Sequence, residues 1–131
     1  MKFMMIVKSS ENEGFPPKEL MDAIAGLAAD AAKAGTMVSN GGLLPTSQGA
    51  RVAVRGGKVI TTDGPFAEAK EVVGGFAIFE LNSLQEAIAG ARQFMDLHAK
   101  YWPGWEGVTE VRPMFEQGEF PGKCAEQSAT A

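Results

Sequence analysis

One cysteine and one histidine stand in a chain of 131 residues. The lone Cys124 excludes an internal disulfide, and its place near the end of the chain marks it as a spare thiol, as expected in a reducing cytoplasm. With a single His98, a metal site would have to be assembled from scattered carboxylates, and no ligand spacing supports one. Positive charge is scarce too. Twelve Lys and Arg against 16 Asp and Glu leave a net charge of -4, and no basic stripe offers a footprint for nucleic acid. Arg51, Arg55 and Lys58 come nearest to a basic cluster and read as the solvent face of a hairpin. No apolar run approaches the length of a membrane span, and residues 1–7 meet Lys8 and Glu11 too soon for a signal peptide. The expectation is a soluble cytoplasmic protein without nucleic-acid or membrane partners.

What remains is ordinary in amount: 45% hydrophobic and 21% charged residues, enough for one domain with its own core. Residues 2–8 read as a strand apolar on both faces, with Phe3, Met5 and Val7 on one and Met4 and Ile6 on the other. Pro16-Pro17 opens a helix with Pro17 at its first position; Leu20, Ile24, Leu27 and Ala31 keep helical spacing, and Gly35 ends it. Residues 36–44 are mixed, a strand interrupted or ended at Asn40-Gly41-Gly42. Residues 51–62 form a hairpin around Gly56-Gly57, and 75–81 a second strand apolar on both faces. Ser83 and Glu86 make a capping box for a helix whose buried stripe is Leu84, Ile88, Ala91 and Met95, continued by His98 and ended before Trp102. Residues 107–114 supply the last strand, and the tail from Gln117 has few apolar anchors. Two strand-helix-strand units on one sheet predict a ferredoxin-like α+β sandwich with an inserted hairpin. Two helices cover one face of such a sheet. Strands apolar on both faces therefore predict a homodimer, sheet against sheet.

Chemistry concentrates in residues 62–76, where Asp63-Gly64-Pro65-Phe66 leads through Glu68, Lys70 and Glu71 to Gly74-Gly75. Asp63 has two readings: a turn carboxylate capping its own backbone, or a general acid/base at a strand end facing a cleft. Phe66 anchors the loop. Glu68 and Lys70, two apart, share a face if extended; they form a surface pair, or Lys70 holds an anionic substrate group. His98 either interacts with its helix C-terminus or transfers protons, with Tyr101, Trp102 and Trp105 as nearby apolar walls. Neither glycine pair opens a helix as a phosphate loop does, and no serine has the surroundings of an activated nucleophile.

The run from Val59 to Phe76 closely resembles the signature of DGPF-type proteins in the YCII-related family. The likeness extends to residues 1–7, to Glu110-Val111-Arg112-Pro113 and to the segment from His98 to Gly107, so it covers residues 1–116 and leaves 117–131 as a tail. It implies a dimeric α+β barrel of ferredoxin-like subunits, and small-molecule enzymology with an Asp and a His as catalytic pair. Asp63 matches the acidic motif residue. Some members carry the His in the first half of the chain, where this sequence has none. Relatives fused to or encoded beside sigma factors imply a regulatory, ligand-sensing alternative. The expected protein is thus a homodimeric, cofactor-independent proton-transfer enzyme of lyase or isomerase type. Asp63 and His98 would be catalytic, Lys70 and Arg112 would hold substrate charge, and Phe66, Glu68 and Trp102 would complete the pocket. The alternative is a binding module without turnover.

Overall fold

The structure, a computed structural model, describes residues 1–66 and 68–116. Along the chain run β1 (Lys2–Ser9), α1 (Lys18–Ala34), β2 (Met37–Gly42), β3 (Ala50–Arg55), β4 (Lys58–Asp63), β5 (Val72–Glu80), α2 (Leu84–Tyr101) and β6 (Gly107–Pro113). Short 3₁₀ turns occupy Glu11–Glu13 and Thr46–Gln48. Four strands form an antiparallel sheet in the order β2-β5-β1-β6, while β3 and β4 pair only with each other. Without that ribbon the chain is a split pair of strand-helix-strand units, so the fold is ferredoxin-like with a hairpin inserted between its halves. Among the described residues no helix is long and apolar enough to cross a membrane.

Register decides which side chains meet. Phe3 lies opposite Phe79 and Pro113, and Met5 opposite Ala77 and Val111. These positions face the helices, where Phe3 and Met5 are buried against Ala87 and Ala91. The period of two then turns Met4 and Ile6 to the other face, with Ile78, Phe76, Arg112 and Glu110. Neither helix covers that second face. The two-faced character of β1 and β5 is therefore real, and on the second face Met4, Ile6, Phe76 and Ile78 are only half-buried.

Two details differ from the sequence expectation. Pro17 is the residue before α1 rather than its first position: its ψ of 153° is extended, and its carbonyl accepts from the amides of Leu20 and Met21 at 3.1 Å. The strand β2 ends at Gly42, as expected, and its register shift falls earlier, between Met37 and Ser39. A Cβ on Gly41 would sit 3.0 Å from the Phe76 ring, so the glycine leaves that cross-strand ring its room. In α2 the buried residues are Ala87, Ala91 and His98, while Leu84 and Ile88 are 41% and 43% exposed. Alanines form the seam because only small side chains let the helix approach Phe3 and Met5 closely. The capping box holds with a small shift: Ser83 Oγ accepts from the Glu86 amide, and Glu86 reaches back to the Asn82 amide at 2.8 Å. The expectation about the tail from Gln117, and about Cys124 within it, lies outside the described residues.

Candidate functional site

The hairpin ends where the charged motif begins. Gly56 and Gly57 adopt φ of 57° and 78°, the left-handed pair that a two-residue hairpin turn needs. Pairing from Arg55 with Lys58 down to Ala50 with Asp63 then sorts the ribbon into two faces. Arg51, Arg55 and Lys58 share one, as expected. Val52, Val54 and Val59 share the other, 68%, 73% and 71% exposed. Asp63 lies on this second face, at its far end.

Beyond Asp63 the chain is held by residues from elsewhere. The Gly64 amide donates to the Gly49 carbonyl at 3.0 Å, and the Phe66 amide donates to Thr46 Oγ1 at 3.2 Å. Glu11 in turn accepts from the Thr46 amide at 2.7 Å and from the Thr46 hydroxyl at 2.6 Å. The Thr46 carbonyl lies so close to Gly64 that a Cβ there would overlap it. On the other side, the Arg51 guanidinium sits 3.9 Å over the Phe66 ring and donates to Glu68 Oε1. Glu68 therefore takes Arg51 as its partner, not Lys70. Its chain is not extended there: the Ala69 amide turns back to the Phe66 carbonyl at 3.0 Å.

These contacts perturb two carboxylates. The Thr46 hydroxyl, then the Thr46 amide, hold the Glu11 carboxyl below the usual range. Its own backbone amide, then Arg51, do the same for Glu68. A carboxyl depressed on folding contributes stability above its unfolded value, near 4.5, and loses it as the pH falls through the folded value. Glu11→Gln is therefore expected to lower the melting temperature at pH 7. The difference from wild type should shrink as the pH falls below 4.5 and through the lowered folded value, where the wild-type carboxyl takes up its proton. Parallel thermal melts across that pH range check this.

Asp63 itself engages no described residue through its carboxylate. The turn-capping role is taken by Thr46 and Glu11 instead. Lys70 is exposed and likewise unpartnered among the described residues.

His98 belongs to a different group. It is 6% exposed at the end of α2, its ring 4.6 Å from Phe94 and 4.5 Å from Trp105. Nδ1 faces the Phe94 carbonyl at 3.0 Å, so Nδ1 carries a proton and Nε2 is the nitrogen left for exchange. Trp102 stacks on Trp105 at 5.8 Å. A Cβ on Gly107 would run into the Trp105 indole, so that glycine makes the seat for the stack. Arg112 stands on the open sheet face, 3.9 Å from Glu110, which also meets Lys8 at 3.3 Å.

The chain thus brings together Phe66 and Glu68 beside Asp63, and His98 with Trp102, but no hydrogen bond, ion pair or ring contact among the described residues joins the two groups or links Arg112 or Lys70 to either. Glu11, Thr46 and Arg51 were not singled out from sequence as site residues. Arg51 was the accessible one, since hairpin register sets it opposite Thr62, four residues before Phe66. Among the described residues no three His, Cys, Asp or Glu side chains converge as a metal site would require. A cavity of about 660 Å³ lies between the helices and the sheet, and none of the candidate residues lines it.

The family model of the YCII-related domain matches residues 1–115. The chain belongs to the YCII-related family. A curated relative, an uncharacterised protein of Rhizobium meliloti (strain 1021), is 37% identical over 81 residues, which cover 60% of this chain and 61% of that protein. The YCII-related domain takes in all six strands and both helices. It also includes the motif loop with its Glu11–Thr46 clamp and the aromatic stack at His98.

Proposed function

We propose that this YCII-related domain acts as a homodimer that carries out acid–base chemistry on a small metabolite, with Asp63 as the proton-transfer group. One observation supports this most directly: the motif is clamped by Thr46 and Glu11, yet the carboxylate it presents engages no described residue. Rigid presentation of a free acid suits proton transfer, which needs a positioned group more than a strong one.

The same face supports the second copy. An isolated two-stranded ribbon is marginal in water, and this one exposes Val52, Val54 and Val59 beside Asp63. The open sheet face carries Met4, Ile6, Phe76 and Ile78. A second protomer covering these surfaces removes both liabilities and shields Asp63 from bulk water, so that its proton goes to substrate. In this reading Lys70 and Arg112 hold substrate charge, Phe66 and Trp102 exclude water, and Glu68 keeps Arg51 over Phe66. His98 offers Nε2 as the second proton carrier, a role that requires the partner copy to bring the aromatic stack toward the motif. Carboxylate and imidazole suffice for such chemistry, so the proposal includes no cofactor.

A binding module without turnover is the second reading, favoured by the burial of His98 between Phe94 and Trp105. A thermal-shift screen of anionic and cyclic metabolites, followed by NMR assays of turnover, separates the two. Turnover by wild type and none by Asp63→Asn supports the enzyme. Equal binding by both, with no product, supports the module. Val54→Asp places a charge in the proposed interface and is expected to convert a dimer to monomers in sedimentation velocity, with loss of ligand response. A wild type that sediments as a monomer at micromolar concentration removes the shared cleft.

A further inference from the structure

We infer that the cavity between the helices and the sheet is a second binding site, for an uncharged apolar molecule with a hydrogen-bonding head. Its volume of about 660 Å³ falls within the range of small-molecule pockets, and it is open to solvent for entry. Its origin can be read residue by residue. On the helix-facing side of the sheet, Gly42 pairs with Gly75, and Ala77 lies opposite Asn40 and Met5. The helices answer with Ala28 and Ala31 from α1 and Gly90 from α2. Small residues thus oppose one another on three sides, where a filled core would have large ones.

Burial along α1 tells the same story independently. Leu20 is fully buried, but Ile24, Leu27, Ala28 and Ala31, on the same inward stripe, are only half-buried because they border the space. The core closes at the Leu20 end and stays open at the other. Apolar walls without contacts forgo dispersion energy that an apolar occupant restores.

Charge selects the occupant. Asp30 and Glu86 border the cavity, and no Lys, Arg or His lines it. A carboxylate or phosphate would meet like charge with no cation to offset it. The side-chain amides of Asn40 and Gln93 also line it and have no partner among the described residues, leaving a donor and an acceptor for an alcohol, ester or amide head. None of the residues assigned to the Asp63 chemistry lines the cavity, so this site stands or falls apart from that reading.

The test is a titration of the full chain with the neutral fluorophore N-phenyl-1-naphthylamine, competed by decanol and by decanoate at pH 8. The expected result is one saturable site per protomer, displaced by decanol and not by decanoate, and unchanged in Asp63→Asn. Ala77→Leu on the floor and Ala28→Leu on the wall fill the space and should each weaken binding about tenfold or more. Circular dichroism reports whether each variant folds; if neither does, intermolecular NOEs from the probe to the Met5 and Met21 methyls of the wild type decide. Absence of saturable binding, indifference to both filled variants, or no NOE to those methyls overturns the site. Equal competition by decanoate overturns the uncharged class.

Discussion

Asparagine in place of Asp63 is expected to lower kcat by roughly 10²- to 10⁴-fold while leaving the melting temperature nearly unchanged, the span that a positioned acid or base contributes. The two halves of this result rest on different facts. Asn has the shape of Asp but cannot exchange a proton, so a reaction that depends on the carboxylate stalls. The carboxylate accepts no hydrogen bond from a described residue, so its loss leaves no donor stranded. Its position on the face of Val52, Val54 and Val59 adds a third expectation. If the proposed second copy covers that surface, removing the charge should tighten association, because no carboxylate has to be desolvated. Steady-state kinetics on a substrate found by the screen, with sedimentation velocity on the same preparations, measure all three. Full turnover by the variant removes Asp63 from the chemistry. A marked fall in melting temperature instead would make it a structural residue of the turn.

Gly64→Ala is expected to be the most damaging single-methyl change in the motif, costing more than about 3 kcal/mol of folding stability, in the range of severe overpacking. The added Cβ would overlap the Thr46 carbonyl oxygen, lie 2.6 Å from the carbonyl carbon and stand 3.3 Å from the Gly49 carbonyl oxygen. Backbone atoms cannot rotate away as a flexible side chain can. Nor can the segments separate freely, since Gly64 is bonded to Gly49, Phe66 to Thr46, and Thr46 twice to Glu11. Relief requires breaking that set, which also frees Asp63 from its position. Urea unfolding should show the loss of stability, and any folded fraction should bind ligand weakly. Gly56→Ala makes the contrast. A Cβ there meets nothing within 4 Å, so only the left-handed φ of 57° opposes it, at about 1 kcal/mol. Equal effects of the two substitutions would show that the approach of Thr46 to Gly64 is not a tight constraint.

The extent to which the site was legible follows from contact range. Gly56-Gly57 between alternating apolar residues specifies its hairpin locally, and that hairpin alone sets Asp63 at a strand end. The Glu11–Thr46 clamp joins residues 35 apart, and nothing in either local sequence signals it. The roll of α2 has a similar cause. Leu84, Ile88, Ala91 and Met95 keep good helical spacing, but which stripe faces the sheet depends on how closely Phe3 and Met5 must be approached. That distance is a property of two packed elements, not of one.

By itself, then, the order of residues determined the elements, the ferredoxin-like arrangement, the two-sided strands and the place of the motif, because each depends on periods of two or 3.6 residues and on turn chemistry within a few positions. Tertiary structure alone decided that the valines on the face of Asp63 stay exposed and that Thr46 and Glu11 hold its loop. It also separated His98 into an aromatic stack and left a cavity under α1. These outcomes depend on which distant surfaces meet, and the chain can express that only once it has folded.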